Sequence, residues 1–240
     1  MEWIKPKYYY LGLMLLSISY PLLRSFENRL RFYKNWKQLG ISILCMMLIF
    51  ITWDIVFTQL SIWSFNDKYI LGTKLMDLPI EEWMFFVFVP YACVFIHEVL
   101  LYFFPLKHPI SLIKKINILI AFSLLTIGII FFDKTYTCVC FISCGGFLLF
   151  FQRNSDLFLT SVYRTYLVSL IPFIMVNGIL TGSITKEQIV IYNDSYNTTV
   201  RILTIPIEDF IYCFLMLGVT IWIYELLKHK KSGWADLKVR

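Results

Sequence analysis

Charge is what this chain has least of. Only 16% of its 240 residues are Asp, Glu, Lys or Arg, while 58% belong to the hydrophobic set, well below the roughly 25% charged share of an average soluble domain. A soluble globular enzyme is excluded, and no polar stretch is long enough to hold a second, soluble domain. The 6 cysteines, at 45, 93, 138, 140, 144 and 213, all sit in or beside apolar runs, so they do not form a secreted disulfide framework. Cys138, Cys140 and Cys144 share one expected helix, but no histidine or acid stands near them to complete a metal site. The net charge of +6 comes from basic residues scattered between apolar spans, the pattern of cytoplasmic membrane loops and not of a nucleic-acid partner.

What the chain has is apolar runs. About 20 helical residues cross a hydrocarbon core, and seven runs approach that length: Tyr8–Leu22, Gln38–Phe57, Pro79–Phe104, Ile116–Phe132, Tyr136–Phe151, Leu159–Leu180 and Pro206–Leu227. No small-residue cleavage site follows the first, which is therefore expected as a retained helix. Basic residues cluster after the first, third, fifth and seventh runs, at Arg24 to Lys37, Lys107 to Lys115, Arg153 and Lys228 to Lys231. The positive-inside rule then puts the N-terminus outside and the C-terminus inside. The expected fold is an all-α integral membrane protein of seven transmembrane helices.

The chain also repeats itself. Asn193 lies 127 residues after Asn66, and the same offset pairs Asp67 with Asp194, Tyr69 with Tyr196, Pro79-Ile80-Glu81 with Pro206-Ile207-Glu208, and Glu98 with Glu225. Proline and polar matches carry this alignment, because apolar matches arise from composition alone. Runs one to three and five to seven cross the membrane in the same directions, so two parallel three-helix repeats are expected around an inverting fourth helix. The boundaries are residues 1–106, 107–134 and 135–240, the last carrying a short basic tail.

Carboxylates next to hydrocarbon are expensive and mark function by default. Glu81-Glu82 and Glu208-Asp209 stand at the outer ends of runs three and seven. Adjacent acids repel, so one of each pair should hold its proton, and Trp83, Phe85, Phe86, Phe210 and Tyr212 would dry the sites. The competing reading makes them interfacial anchors favoured by the helix dipole. Asp54 and Asn177 are expected to complete one pocket per repeat. Glu98 and Glu225 lie near the inner ends and suit contacts to Lys or Arg. Glu98 is roughly 24 Å along the axis from Glu82, too far to share a proton with it. His97 has no counterpart in the second repeat and is discounted as catalytic.

Asn66 through Pro79-Ile80-Glu81-Glu82, and Tyr192-Asn193-Asp194 through Pro206-Ile207-Glu208-Asp209, resemble the two halves of the lycopene cyclase domain family, the small membrane type of carotenoid cyclase. The resemblance is to the fused form, and without a Gly-x-Gly-x-x-Gly turn the chain does not resemble the flavin-containing class. It implies acid-catalysed closure of the acyclic ends of lycopene to β-rings through a carbocation, with no net redox change and no cofactor or metal. Glu81 or Glu208 would donate the proton, and Glu82 and Asp209 would tune the acid or take the final proton. Asp54, Asn66, Asn177, Asn193, Glu98 and Glu225 would bind substrate or support the acids. The expected partners are a polyene drawn from the bilayer and other carotenoid enzymes, and the expected location is the cell membrane, crossed many times.

The second half departs from the first with Asp209 for the second glutamate and Thr199 where the first half has Gly72, so the two pockets are expected to be unequal. A small-solute transporter is the main alternative, although both acid pairs lie near one surface and not at the midplane. A retinal-binding protein would need a lysine between Pro206 and Leu227, and none is there. A prenyltransferase would need paired aspartate-rich magnesium sites, and Thr204 stands where the first half has Asp77.

Overall fold

A computed structural model describes residues 5–232. It contains seven α-helices: α1 Tyr9–Arg24, α2 Trp36–Gln59, α3 Ile80–Phe103, α4 Ile113–Ile130, α5 Thr135–Phe151, α6 Asp156–Leu180 and α7 Ile207–Ser232. They fall on the seven apolar runs, with ends shifted by a few residues. The sixth starts early because Ser155 caps it, its hydroxyl accepting the Phe158 N–H at 3.3 Å. The expected tail beyond residue 232 lies outside the described residues.

Five segments, Phe32–Gln59, Ile80–Phe103, Ile113–Ile130, Asp156–Leu180 and Ile207–Lys228, are long and apolar enough to cross a membrane. The helices α1 and α5, with 16 and 17 residues, fall short of the usual 20 or so. Leu16, Leu48, Leu119 and Ile171 are 70%, 76%, 68% and 67% exposed, whereas Asp54, Glu82, Asn177 and Asp209 are buried. Apolar outside and polar inside is the arrangement of an all-helical membrane protein.

The two polar connections are more ordered than links. Each holds short strands, β1 Trp63–Phe65, β2 Lys74–Leu75 and β3 Leu78–Pro79 in one, β4 Val190–Tyr192, β5 Arg201–Ile202 and β6 Ile205–Pro206 in the other. Strands of two or three residues leave no readable alternation in a sequence. The β2–β3 and β5–β6 pairs are hairpins, and β1 pairs antiparallel with β4 in the register Trp63 to Tyr192, Ser64 to Ile191 and Phe65 to Val190.

That register is centred on two residues 127 apart, Ser64 and Ile191. The Asn66 N–H donates to the Ile189 carbonyl and the Asn193 N–H to the Ile62 carbonyl, both at 2.9 Å. Each bond becomes the other when 127 is added to its first-half residue, which is the reciprocity of a two-fold contact. The turns inside each connection repeat as well. Ile80 N–H reaches Thr73 O and Ile207 N–H reaches Val200 O, at 3.0 Å each. Gly72 holds φ +90° and Thr199, its counterpart, φ +63°, a left-handed conformation unfavourable for a β-branched residue. Asn197 holds that turn by accepting the Thr199 N–H at 2.7 Å.

Helices exchange partners between the halves. Within each, α1 packs on α3 and α5 on α7, while α2 also crosses to α7 and α6 crosses to α3. α4 lies on α5, where small residues let the backbones close up: a Cβ on Gly145 would sit 2.8 Å from Leu125 Cγ and 2.9 Å from the Ala121 carbonyl. The backbone contact cannot rotate away. Gly145→Leu is expected to destabilise the detergent-solubilised protein by about 1–3 kcal/mol in a thermal melt. Gly146→Leu, where an added Cβ meets nothing within 4 Å, should leave the melt near that of the parent.

Candidate active site

Pro79, with φ −62° and ψ 149°, leads into α3, placing Glu81 and Glu82 in the first turn, and Glu208 and Asp209 take the same places in α7. Neighbours on an α-helix point about 100° apart, so the members of each pair face different surroundings. Glu81 turns back to its own connection, where it accepts the Leu71 N–H at 2.7 Å. Glu208 does likewise, accepting from Thr198 N–H and hydroxyl at 2.8 Å each and from the Thr137 hydroxyl at 2.6 Å. Both are wholly buried and pin the connections onto positively polarised helix ends.

Glu82 and Asp209 turn the other way, into one cavity of about 60 Å³ shared by the two halves, room for roughly four waters. The expected pair of separate pockets is thus one pocket at the half-to-half contact. Its walls repeat the two-fold relation: Glu82, Phe85, Phe86 and Val89 from α3 face Asp209, Tyr212, Cys213 and Met216 from α7. Asp54 from α2 and Asn177 from α6 join them, and among the described residues no Lys, Arg or His lines the cavity.

The donors are distributed unevenly. Asp209 receives three: the Tyr136 hydroxyl at 2.6 Å on Oδ1, and the Tyr192 hydroxyl at 2.8 Å and Asn177 Nδ2 at 2.7 Å on Oδ2. Glu82 is bonded by the Tyr10 hydroxyl. Asp54 accepts Trp63 Nε1 at 2.6 Å through Oδ1. In β4, burial, followed by the Asp209 charge, pushes the Tyr192 hydroxyl well above the ordinary phenol range, so it remains a donor.

Four of the ten residues expected from sequence line this cavity: Glu82, Asp209, Asp54 and Asn177. Asn177 bonds an acid as expected, while Asp54 accepts from the Trp63 indole. Glu81 and Glu208 sit behind the wall. Asn66 and Asn193 belong to the roof, their side-chain amides donating across the halves to the Gln188 carbonyl at 3.2 Å and the Ser61 carbonyl at 3.3 Å. At the roof's exposed edge, a hydrogen bond from Lys68 holds the Glu187 carboxyl below its ordinary value, at 2.9 Å. Of the expected drying rings, Phe85, Phe86 and Tyr212 line the cavity. Trp83 instead bonds the Leu75 carbonyl at 3.2 Å, and Phe210 packs on Phe173 at 5.1 Å. The donors Tyr10, Tyr136 and Trp63 carry no motif in the sequence, and Tyr192 enters there only as the start of the second-half motif. Tyr10 and Tyr136 are 126 apart and not 127, one residue out of step with the acid motif, which hides their equivalence.

A family model described as lycopene cyclase matches residues 7–100 and 133–227, one stretch in each half. The chain belongs to the lycopene cyclase family. Two curated relatives are similar over less than half of it, both called bifunctional lycopene cyclase/phytoene synthase. The protein from Podospora anserina is 31% identical over 45% of this chain and 16% of its own length. That from Neurospora crassa is 27% identical over 44% and 16%. The match therefore spans about a sixth of either relative's length. No solved structure matches.

At the opposite end of this lycopene cyclase family chain, Glu98 and Glu225 form a second polar cluster, far from the cavity. Lys228 pairs with Glu98 and stands 3.6 Å from Glu225, the Tyr224 hydroxyl donates to Glu98 at 2.8 Å, and His97 Nε2 lies 3.4 Å from Glu225. The lysine comes from α7 itself and not from a neighbouring loop, and the cluster ties the ends of α3 and α7 together. Removing one partner from a mostly buried pair leaves a charge uncompensated. Lys228→Met is expected to destabilise the solubilised protein by about 3 kcal/mol, and Glu98→Gln combined with it should recover part of that loss in the same thermal melt.

Proposed function

We propose that this chain is a lycopene β-cyclase, closing the acyclic ends of lycopene to β-rings in an intramolecular lyase or isomerase reaction. One observation carries the reading: Asp54, Glu82 and Asp209 face one aromatic-walled cavity with no cation among its lining residues. Three negative charges cannot share a dry site at such close quarters, so at least one carboxyl keeps its proton.

The donor pattern picks out the acceptor: Asp209, with three donors, is the best stabilised carboxylate, whereas Glu82 and Asp54 have one each, and the proton is assigned to Glu82, which holds in α3 the place that Asp209 holds in α7. The Glu82 proton adds to the terminal alkene, forming a C–H bond and a tertiary cation. The internal double bond attacks that cation, forming the ring C–C bond, and the ring cation loses a neighbouring proton to Asp209. One proton enters and one leaves, so no oxidant or reductant is required. The faces of Phe85, Phe86 and Tyr212 steady the cation. Glu81 and Glu208, assigned the proton transfer on sequence alone, become the groups that aim their neighbours.

In this reading the chain crosses the cell membrane seven times with its N-terminus outside, as parallel halves 1–106 and 135–240 about the linker 107–134, and takes a polyene from the bilayer. The name of the two fungal proteins, which couples cyclase and phytoene synthase, suggests that another carotenoid enzyme works beside it. The acids lie in the first turns of α3 and α7, away from the midplane where a transport site belongs.

Expression in lycopene-accumulating bacteria, with pigments separated by chromatography, tests the chemistry. The parent should yield β-carotene, and Glu82→Gln and Asp209→Asn should each lower it by about 100-fold or more at equal protein level. Either variant matching the parent removes that residue from the mechanism. Reporter fusions check the orientation: one at the C-terminus should be active in the cytoplasm, and one in the 181–188 loop should be active outside.

A further inference from the structure

The two-fold relation fails at one wall of the cavity, and the failure has a direction. Phe173, Asn177 and Leu180 line it from α6. Their counterparts at the same spacing in α2 are Phe50, Asp54 and Phe57, of which only Asp54 reaches the cavity. Phe50 and Phe57 belong to the main core, whereas Phe173 belongs to a separate small cluster with Ile205, Phe210 and Cys213. Leu180 and Phe57 both belong to the main core, so the two walls differ at one ring: Phe50 is packed into that core and Phe173 is not.

The difference traces to one position. Trp53 follows Phe50 by three residues, and Val176 follows Phe173 by three. Trp53 stacks on Phe50 at 6.0 Å and meets the Tyr212 ring edge-on at 5.2 Å, while Phe50 meets Tyr212 at 5.2 Å. These three rings fill the seam between α2 and α7. The equivalent seam between α6 and α3 has valine in place of the indole, with half-buried Phe85 and Val89 beside the cavity.

A long polyene cannot fit within about 60 Å³, so most of it must lie outside the cavity. The roof is closed to hydrocarbon by the β1–β4 ladder with Asn66 and Asn193. Below, Val94 and Ile221 are fully buried. Between the halves, the lateral seams, α2 with α7 and α3 with α6, run from the cavity toward the bilayer. We propose that the polyene passes through the seam between α3 and α6, and that Trp53 stoppers the equivalent seam between α2 and α7. The site then takes a linear isoprenoid end from one side only. This rests on the cyclase reading.

Exchanging the two residues tests it, with the parent, Val176→Trp, Trp53→Val and the double variant compared in lycopene-accumulating cells. Binding of lycopene to the purified proteins is read separately by its absorption. Val176→Trp should lower both cyclised product and binding at least tenfold at unchanged protein level, and Trp53→Val should keep both. The double variant, with its stopper moved to the other side, should recover most of each through the newly opened seam. Val176→Trp behaving like the parent, or a double variant as poor as Val176→Trp, overturns the one-sided portal while leaving the cyclase reading intact. A parent that neither cyclises nor binds lycopene overturns both.

Discussion

Two backbone hydrogen bonds, Asn66 N–H to Ile189 O and Asn193 N–H to Ile62 O, fix how the halves of this molecule meet. They flank a three-residue antiparallel ladder whose register permits only one alignment of the two connections. Once that alignment is set, the first turns of α3 and α7 must lie beside one another, and the acids on their facing sides must share a space. Ladder, roof and cavity are consequences of one contact. The groups that make it are main-chain groups, so it survives side-chain differences between the halves.

Burial then sorts the acids. A carboxylate withdrawn from water needs donors, and the fold supplies two kinds. Glu81 and Glu208 each accept a backbone N–H of their own connection through one oxygen, while the other oxygen of each is buried without a partner among the described residues, which ties them to the scaffold. Glu82 and Asp209 are satisfied by tyrosine hydroxyls from α1 and α5, which leaves oxygen facing an open space. The same residue type, one position apart, serves to hold a loop in one case and lines a cavity in the other.

Much of this was legible in the sequence, and what was not has a common cause. The seven helices and the acid motifs at the starts of α3 and α7 followed from apolar length, proline placement and charge, all of them local signals. Which acid of each pair faces the cavity depends on where the other half lies, and no local pattern reports that. The tyrosine donors were hidden by a one-residue change of offset between α1 and α3 relative to α5 and α7. The short strands escaped because pairing of two or three residues is decided by the partner segment, not by alternation.

Asp54 and Asn177 stand at matching places in α2 and α6, yet one is an acid and the other an amide. A dimer of identical half-length chains would be forced to present the same residue on both sides of its axis, two acids or two amides. A duplicated gene escapes that constraint, because each copy accepts substitutions of its own. The acid and the amide at this cavity, and the indole and the valine beside it, are differences that two identical halves could not have encoded.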